Sequence, residues 1–180
     1  HRNKWTEVTQ PEGFSLEKVI VCGNHSFLKG RGKNGEDKLY AAGYNKFGQL
    51  GLGHTNNRSR WTKVIVPQGF SLEKLLGGYG HSFLKGKGKG GEDKLYATGY
   101  NIGQLGLGDR RNRYKWTEVP LPKGFRIEKV MAGGFHTFLK GKGKDGENQL
   151  YVSGRNDHGQ LGLGDNNFRN EWTEVTVPQG

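Results

Sequence analysis

The sequence is short of the residues that mark several common protein classes. It holds one cysteine, Cys22, so an internal disulfide and a cluster of thiolate metal ligands are both excluded. It holds no run of about 18 apolar residues, so no membrane-spanning helix is expected. A lone cysteine fits a reducing compartment, and we expect an intracellular protein, cytoplasmic or nuclear.

Proline, apolar residues and acidic residues are also scarce. Five prolines and a hydrophobic fraction of 32% accompany 32 glycines, so the chain must turn often. Asp and Glu number 17 against 28 Lys and Arg, which leaves a net charge of +11. A basic excess of this kind favours polyanionic partners, either nucleic-acid backbones or acidic protein surfaces.

What the sequence has instead is internal repetition. Four tryptophans recur at intervals of 55 or 56 residues: Trp5, Trp61, Trp116 and Trp172. The predicted repeats cover residues 1–60, 61–115 and 116–171. Residues 172–180 resemble the first tryptophan segment, and we interpret them as an extra strand that starts a fourth repeat or closes the molecule as a clasp.

The sequence of each repeat predicts four short strands. In the second repeat they are WTKVIV, EKLL, HSFLKG and DKLYATG, each bounded by glycine, proline or asparagine. No segment keeps a helical apolar period over about ten residues. The sequence therefore predicts an all-β fold of three β-propeller blades, each of four antiparallel strands.

The stretch LKGKGKGGEDKLY, residues 84–96, has glycines in the spacing G-x-G-x-x-G. In a dinucleotide-binding fold such glycines open a helix whose N-terminus holds a pyrophosphate. Here a strand follows them, and the stretch occurs in all three repeats, whereas a cofactor loop occurs once per binding domain. We interpret it as a β-hairpin turn that needs glycines at positive φ, and we expect no cofactor.

The segments YNKFGQLGLG, YNIGQLGLG and RNDHGQLGLG resemble the repeat signature of the regulator of chromosome condensation family. The elements GGYGHSF and GGFHTF resemble a second part of that signature, and the likeness covers essentially the whole chain. The resemblance implies a β-propeller, usually of seven blades. The best-known member of the family promotes nucleotide exchange on the small GTPase Ran and docks on nucleosomes.

Two features depart from the family pattern. The glycine-lysine hairpin is longer and more basic than the usual turn, and three repeats are too few to close a ring. Because three repeats cannot close a ring, we expect one of two kinds of partner. One is a homo-oligomer in which two chains form a six-bladed ring, and the other is the rest of a longer propeller.

The signature residues are expected to be structural. Their glutamines can bond backbone groups that an irregular turn leaves unpaired, and their leucines can fill the space between blades. This set comprises Gly48, Gln49, Leu50, Gly51, Leu52, Gly103, Gln104, Leu105, Gly159, Gln160 and Leu161.

The repeated histidines His25, His81 and His136 could ring a central channel as metal ligands. Each sits at a turn beside serine or threonine, and consecutive side chains of a strand point to opposite faces, which separates a nucleophile from its base. We favour hydrogen bonding to the backbone of a neighbouring blade. We expect no metal site and no catalytic residues, and therefore a protein that is not an enzyme.

The positive charge is concentrated in two kinds of loop. The glycine-lysine hairpins carry the candidate polyanion-binding residues Lys29, Arg31, Lys33, Lys85, Lys87, Lys89, Lys140, Lys142 and Lys144. The loops before the tryptophans are rich in arginine, and we expect the two kinds of loop on opposite faces. No aromatic residues lie among the lysines, so contact with a nucleic acid should not depend on base sequence.

Two functions remain open. The first is a non-enzymatic interaction module whose basic rim holds an acidic partner, related to chromatin or small GTPases through the family resemblance. The second is an architectural or designed repeat protein that assembles into a closed propeller with no further ligand. The first is the function we expect, and the second is the alternative, to which the near identity of the repeats points because recent amplification or deliberate symmetrisation would produce it; GFSLEK, for example, occurs twice.

Overall fold

The computed structural model describes residues 4–176, and strands are its only regular elements in that range. The first sheet contains β1 (Ser15–Val21), β2 (His25–Arg31), β3 (Asp37–Gly43) and β4 (Arg58–Lys63). The second contains β5 (Ser71–Gly77), β6 (His81–Lys87), β7 (Asp93–Gly99) and β8 (Arg113–Glu118). The third contains β9 (Arg126–Ala132), β10 (His136–Lys142), β11 (Asn148–Gly154) and β12 (Arg169–Glu174). Within these residues there is no helix that could cross a membrane.

Each sheet is antiparallel and keeps its strands in chain order. The first strands of the three sheets lie next to one another: β1 contacts β5, and β5 contacts β9. The tryptophan strands β4, β8 and β12 therefore lie at the outer edge. This arrangement confirms the predicted all-β fold: the chain forms three propeller blades, which together make a partial propeller.

The sheets are divided at different places from the predicted repeats, because each tryptophan strand ends a sheet rather than starting one. The signature loop turns the chain back along the third strand, so that β12 pairs with β11. Residues 172–174 thus belong to the third sheet, and their interpretation as an extra strand or clasp is wrong. Residues 177–180 lie outside the described range.

The surplus copy of the tryptophan segment is at the other end of the chain. Residues 4–14 form no strand, and Trp5 is fully exposed. Three sheets use three tryptophan strands, and the first of the four copies has no third strand within the described residues with which to pair.

The core lies between the sheets rather than within them. One cluster joins Phe27 and Leu39 of the first sheet, and Leu50 of the signature loop that follows β3, to Leu75 and Leu84 of the second sheet. An equivalent cluster joins the second sheet to the third. Because each sheet buries its apolar face against a neighbour, the blades depend on one another for stability.

In the first two signatures a glycine lies against the tryptophan of the following sheet. Gly51, at φ +67°, lies against Trp116, and Gly106, at φ +66°, lies against Trp172. A Cβ atom at either glycine would collide with the indole ring. Neither indole Nε1 has a hydrogen-bond partner within the described chain. The ring packs directly on backbone instead.

Replacing Gly106 with alanine should lower the free energy of unfolding by about 2–4 kcal/mol, because backbone strain at positive φ adds to a collision with Trp172. The matched control is Gly35→Ala. Gly35 also has positive φ (+77°), but nothing lies within 4 Å of an added Cβ, so only about 1 kcal/mol is expected. Urea unfolding measures both, and equal losses would contradict the glycine–tryptophan contact.

Candidate interaction surfaces

The glycine-lysine stretches connect the second and third strands of each sheet. In the second hairpin Gly88 N–H donates to the Glu92 carbonyl at 3.0 Å, and Gly91 N–H donates to the Gly88 carbonyl at 3.0 Å. Gly91 has φ +82°. A strand follows at once, so these glycines form a turn, and no helix N-terminus is present to hold a phosphate.

In the first hairpin the cations are paired with carboxylates of their own sheet. Arg31 Nε donates to Glu17 Oε1 at 3.0 Å, and Lys29 lies 3.6 Å from the same carboxylate. Asp37 is 3.3 Å from Arg31. The hydrogen bond from Arg31 lowers the pKa of Glu17. Much of the positive charge at this hairpin is therefore locally compensated.

The second hairpin repeats this pairing. Lys85 Nζ donates to Glu73, and Lys87 Nζ donates to Asp93 Oδ1 at 2.7 Å, which raises the pKa of Lys87. The other oxygen of Asp93 accepts the Ile127 N–H of the next sheet at 3.0 Å. Asp93 therefore serves both the ion pair and the contact between blades.

The third hairpin differs. Asn148 stands where the other sheets have an aspartate, and it accepts a hydrogen bond from Lys142 at 2.7 Å. Within residues 4–176 no carboxylate lies within 4 Å of the amines of Lys140, Lys142 or Lys144. Of the nine cations expected to bind polyanions, five form no ion pair within the described residues: Lys33 and Lys89 in the first two hairpins, and all three lysines of the third. The third hairpin is thus the one in which every cation is unpaired.

The last lysine of each hairpin is exposed, and its stem covers a turn. The stems lie against the glycine of the preceding Pro-x-Gly turn: Lys33 on Gly13, Lys89 on Gly69 and Lys144 on Gly124. Long cationic side chains commonly cover apolar or backbone surface in this way while the amine stays in water. These three amines are therefore held at the hairpin edge.

The signature loops lie at the opposite end of the strands. Buried Asn45 holds the first loop, since its Oδ1 accepts the Leu50 N–H at 3.0 Å and its Nδ2 donates to the His54 carbonyl at 2.8 Å. Gln49 Oε1 accepts the Phe47 N–H at 3.1 Å. The asparagine occurs in all three repeats, and sequence reasoning missed it although it precedes every signature.

One arginine of each of these loops bonds to a side chain of the same loop. Arg113 Nη2 donates to Asp109 Oδ2 at 2.6 Å, and the third loop repeats this with Arg169 and Asp165. The arginine bonds lower the pKa of both aspartates. His54 takes the place of the aspartate in the first loop and binds the arginine there. These guanidinium groups therefore brace the loops.

A row of aromatic rings crosses this end of the molecule from sheet to sheet. The ring centroids of Phe47 and Tyr100 are 4.8 Å apart, and those of Tyr100 and Phe135 are 5.9 Å apart. Tyr44 and Tyr79 extend the row at 5.9 Å, and both are exposed. The sequence placed no aromatic residues among the lysines, and the structure puts this aromatic surface at the opposite end from them.

The histidines lie in the joints between sheets. His25 Nε2–H donates to Ser82 Oγ of the next sheet at 2.7 Å, and Ser82 Oγ–H donates to the Gln49 carbonyl at 2.9 Å. Thr137 makes the same bond to the Gln104 carbonyl at 2.9 Å. His25 thus contacts a neighbouring side chain, whereas neither ring nitrogen of His81 has a hydrogen-bond partner within the described residues. In both joints the hydroxyl, rather than the imidazole, reaches the backbone.

Burial keeps these histidines neutral. Desolvation lowers the pKa of His25 to about 4. Desolvation, with smaller repulsion from His25 and His136, lowers the pKa of His81 to about 3. His136, at the end of the row, is half-buried and its pKa is also lowered by burial. No group of three or more potential metal-ligating side chains occurs in residues 4–176.

A sequence model of the regulator of chromosome condensation (RCC1) repeat matches residues 36–84 and 92–139. The chain belongs to the RCC1 repeat family. The human X-linked retinitis pigmentosa GTPase regulator is 34% identical over 164 residues, which are 89% of this chain and 14% of that protein. The ultraviolet-B receptor UVR8 of Arabidopsis thaliana is 30% identical over 149 residues, which are 82% of this chain and 31% of that protein.

Two solved structures of yeast RCC1 repeat proteins share the fold. Yeast RCC1 (Prp20) bound to Kap60 superposes with a TM-score of 0.69 at 18% identity, over 90% of this chain and 37% of that one. Prp20p of Saccharomyces cerevisiae gives 0.64 at 19% identity, over 90% and 38%. The chain therefore spans less than a third of these curated relatives and under two fifths of these structures.

The buried histidines predict a loss of stability in mild acid. Their folded pKa values lie below the unfolded value near 6.5, so below that pH the unfolded chain binds protons that the folded chain does not. Stability is full above about pH 7 and falls as the pH decreases towards 4, by about 2 kcal/mol for each buried histidine at pH 5. Urea midpoints at pH 7.5 and 5.0 measure this.

His25→Gln is the control, because it removes one of the two groups and should reduce the pH dependence by about half. A wild-type midpoint that is the same at both values would show that the histidines are not buried as neutral groups.

Proposed function

We propose that the chain is a non-enzymatic, intracellular interaction module that binds acidic partners at its hairpin edge. The third hairpin carries the proposal, because its lysines have no carboxylate partners within the described residues. An incoming anion meets these amines without first breaking an ion pair. The paired cations of the other two hairpins attract an added anion less strongly, because they already form exposed ion pairs with carboxylates.

The spacing of the free lysines suits a polyanion. Lys140 and Lys142 are two residues apart on β10, so they lie on the same side of the strand about 6.6 Å apart. That is close to twice the axial separation of about 3.4 Å between charges on one strand of DNA. Backbone contacts of this kind carry no base sequence information.

Relatives suggest the biological setting. One is named a GTPase regulator and another a secretion-regulating guanine nucleotide exchange factor. The Prp20p structure is described together with its binding to Gsp1p and histones. We propose a chromatin or small-GTPase context for this chain as well. In chromatin a basic edge would be attracted to nucleosomal DNA and repelled by free histones, which are themselves basic.

Binding to heparin or duplex DNA should depend steeply on salt, and mainly through the third hairpin. The triple variant Lys140→Ala, Lys142→Ala, Lys144→Ala should reduce the slope of log K against log salt by about 2–3, or roughly one unit for each lost phosphate contact. Column retention over a series of salt concentrations measures this slope.

The matched control is Lys85→Ala, Lys87→Ala, Lys89→Ala, which removes the same number of charges from the second hairpin. Because two of its lysines are ion-paired, the slope should fall by about one unit or less. Equal effects of the two triple variants would refute the special role of the third hairpin.

The chromatin setting predicts a difference between two ligands. The wild-type chain should bind reconstituted nucleosomes and fail to bind DNA-free histone octamers at the same ionic strength, and the third-hairpin variant should lose nucleosome binding. Binding to a nucleotide-free small GTPase that persists in the third-hairpin variant would instead place the partner on another surface of the module.

A second candidate function is architectural. The first and third sheets each leave one face uncovered within the described residues, so the chain would complete itself either with a second copy in a six-bladed ring or with further blades of a longer propeller. Sedimentation at several concentrations distinguishes a self-associating chain from a monomer.

A further inference from the structure

The two joints inside the chain show what covers an open blade face. In each, the tryptophan of the later sheet lies on a glycine of the earlier one, Trp116 on Gly51 and Trp172 on Gly106. In each, a hydroxyl of the later sheet donates to the glutamine carbonyl of the earlier one. The same contacts made twice define one kind of joint with two different sides.

The third sheet presents the glycine side of this joint without a partner. Gly162 has the same conformation as Gly106, φ +69°, but no atom of the described chain lies within 4 Å of a Cβ placed on it. Phe138 and Leu150 are half-buried, whereas their copies in the other sheets are fully buried. His136 and Gln160 are half-buried as well.

The first sheet presents the tryptophan side without a partner. Leu16 and Val19 on β1 are 37% and 51% exposed, whereas Leu72 and Leu75 at the same positions of β5 are 8% and 4% exposed. Ser26 is half-buried, whereas Ser82 at the same position of the second sheet is fully buried. Trp61 occupies the position of Trp116. The tryptophan, the glycine, the glutamine and the hydroxyl that bonds to its carbonyl are therefore all present on the two open faces.

We infer that these two faces are the halves of a third joint, which is closed head to tail by a second copy of the chain. Trp61 of one copy lies on Gly162 of the other, and Ser26 bridges His136 to the Gln160 carbonyl. Propellers close with about four to eight blades, and six is the only multiple of three in that range. Two copies therefore form the ring, with two identical joints. This inference rests on the architectural function proposed above.

One substitution makes the joint between copies weaker than the internal joints. Thr98 donates to the Gly48 carbonyl at 2.8 Å, and Ser153 donates to the Gly103 carbonyl in the same way. At this position the first sheet has Ala42, which has no hydroxyl. The Gly159 carbonyl would therefore lack that donor, and we expect the copies to separate while each chain stays folded.

Gly162→Asn tests the joint from the glycine side. Asparagine tolerates positive φ, and a Cβ atom at this position has no atom of residues 4–176 within 4 Å, but the side chain would collide with Trp61 of a second copy. Sedimentation should show a dimer for the wild type on the order of 10 µM, and a dissociation constant about a hundredfold higher for the variant, since both joints are blocked. The matched control Gly146→Asn, at φ +84° in a hairpin with nothing nearby, should remain a dimer.

Mixing two variants tests whether the joint is head to tail. Val19→Asp blocks the tryptophan side at an exposed position, so this variant alone should also be a monomer. An equimolar mixture with Gly162→Asn retains one intact joint and should form a one-to-one dimer. A monomeric wild type would overturn both this inference and the architectural function. A dimer that is insensitive to Gly162→Asn, or a mixture that does not associate, would overturn this inference alone.

Discussion

The contact of a tryptophan ring with a glycine of the preceding sheet is the constraint on which the rest of the structure depends. A four-stranded sheet of six- and seven-residue strands buries too little apolar surface to be stable alone. Because Gly51 and Gly106 have no side chain, the indole ring of the tryptophan packs directly on their backbone. This contact sets the distance between adjacent sheets, and at that distance their phenylalanine and leucine side chains pack against each other.

Polar groups in the joints follow from the same close approach. A hydroxyl from one sheet satisfies a carbonyl in the turn of the other, and a neutral imidazole donates to that hydroxyl. A buried asparagine holds the turn in shape from inside. Because unsatisfied buried groups are costly, this network favours one register between the sheets, which apolar packing alone would not select.

Repetition and turn chemistry made the fold predictable from the sequence. The regular spacing of the signature was sufficient to predict blades of four strands. The strand that follows each glycine-lysine stretch was sufficient to predict a hairpin rather than a phosphate-binding loop. Partners across strands were not predictable. Glu17 lies opposite Lys29 and Arg31 only because β1 carries an irregularity between Leu16 and Lys18. Whether each tryptophan strand begins a sheet or ends one was not predictable either, because the order of the strands along the chain does not determine which strands pair.

The hairpins and the histidine joints occupy opposite ends of the same strands. A strand of seven residues, such as His81–Lys87, is about 23 Å long, and charges in physiological salt are screened beyond about 8 Å. The charge of a hairpin is therefore scarcely felt at the joint. Exchange of an aspartate for Asn148 therefore changes what one blade attracts without altering the histidine and hydroxyl contacts at the other end of the strands, so that the charge of a hairpin and the polar network of the joints can diverge independently in a protein built this way.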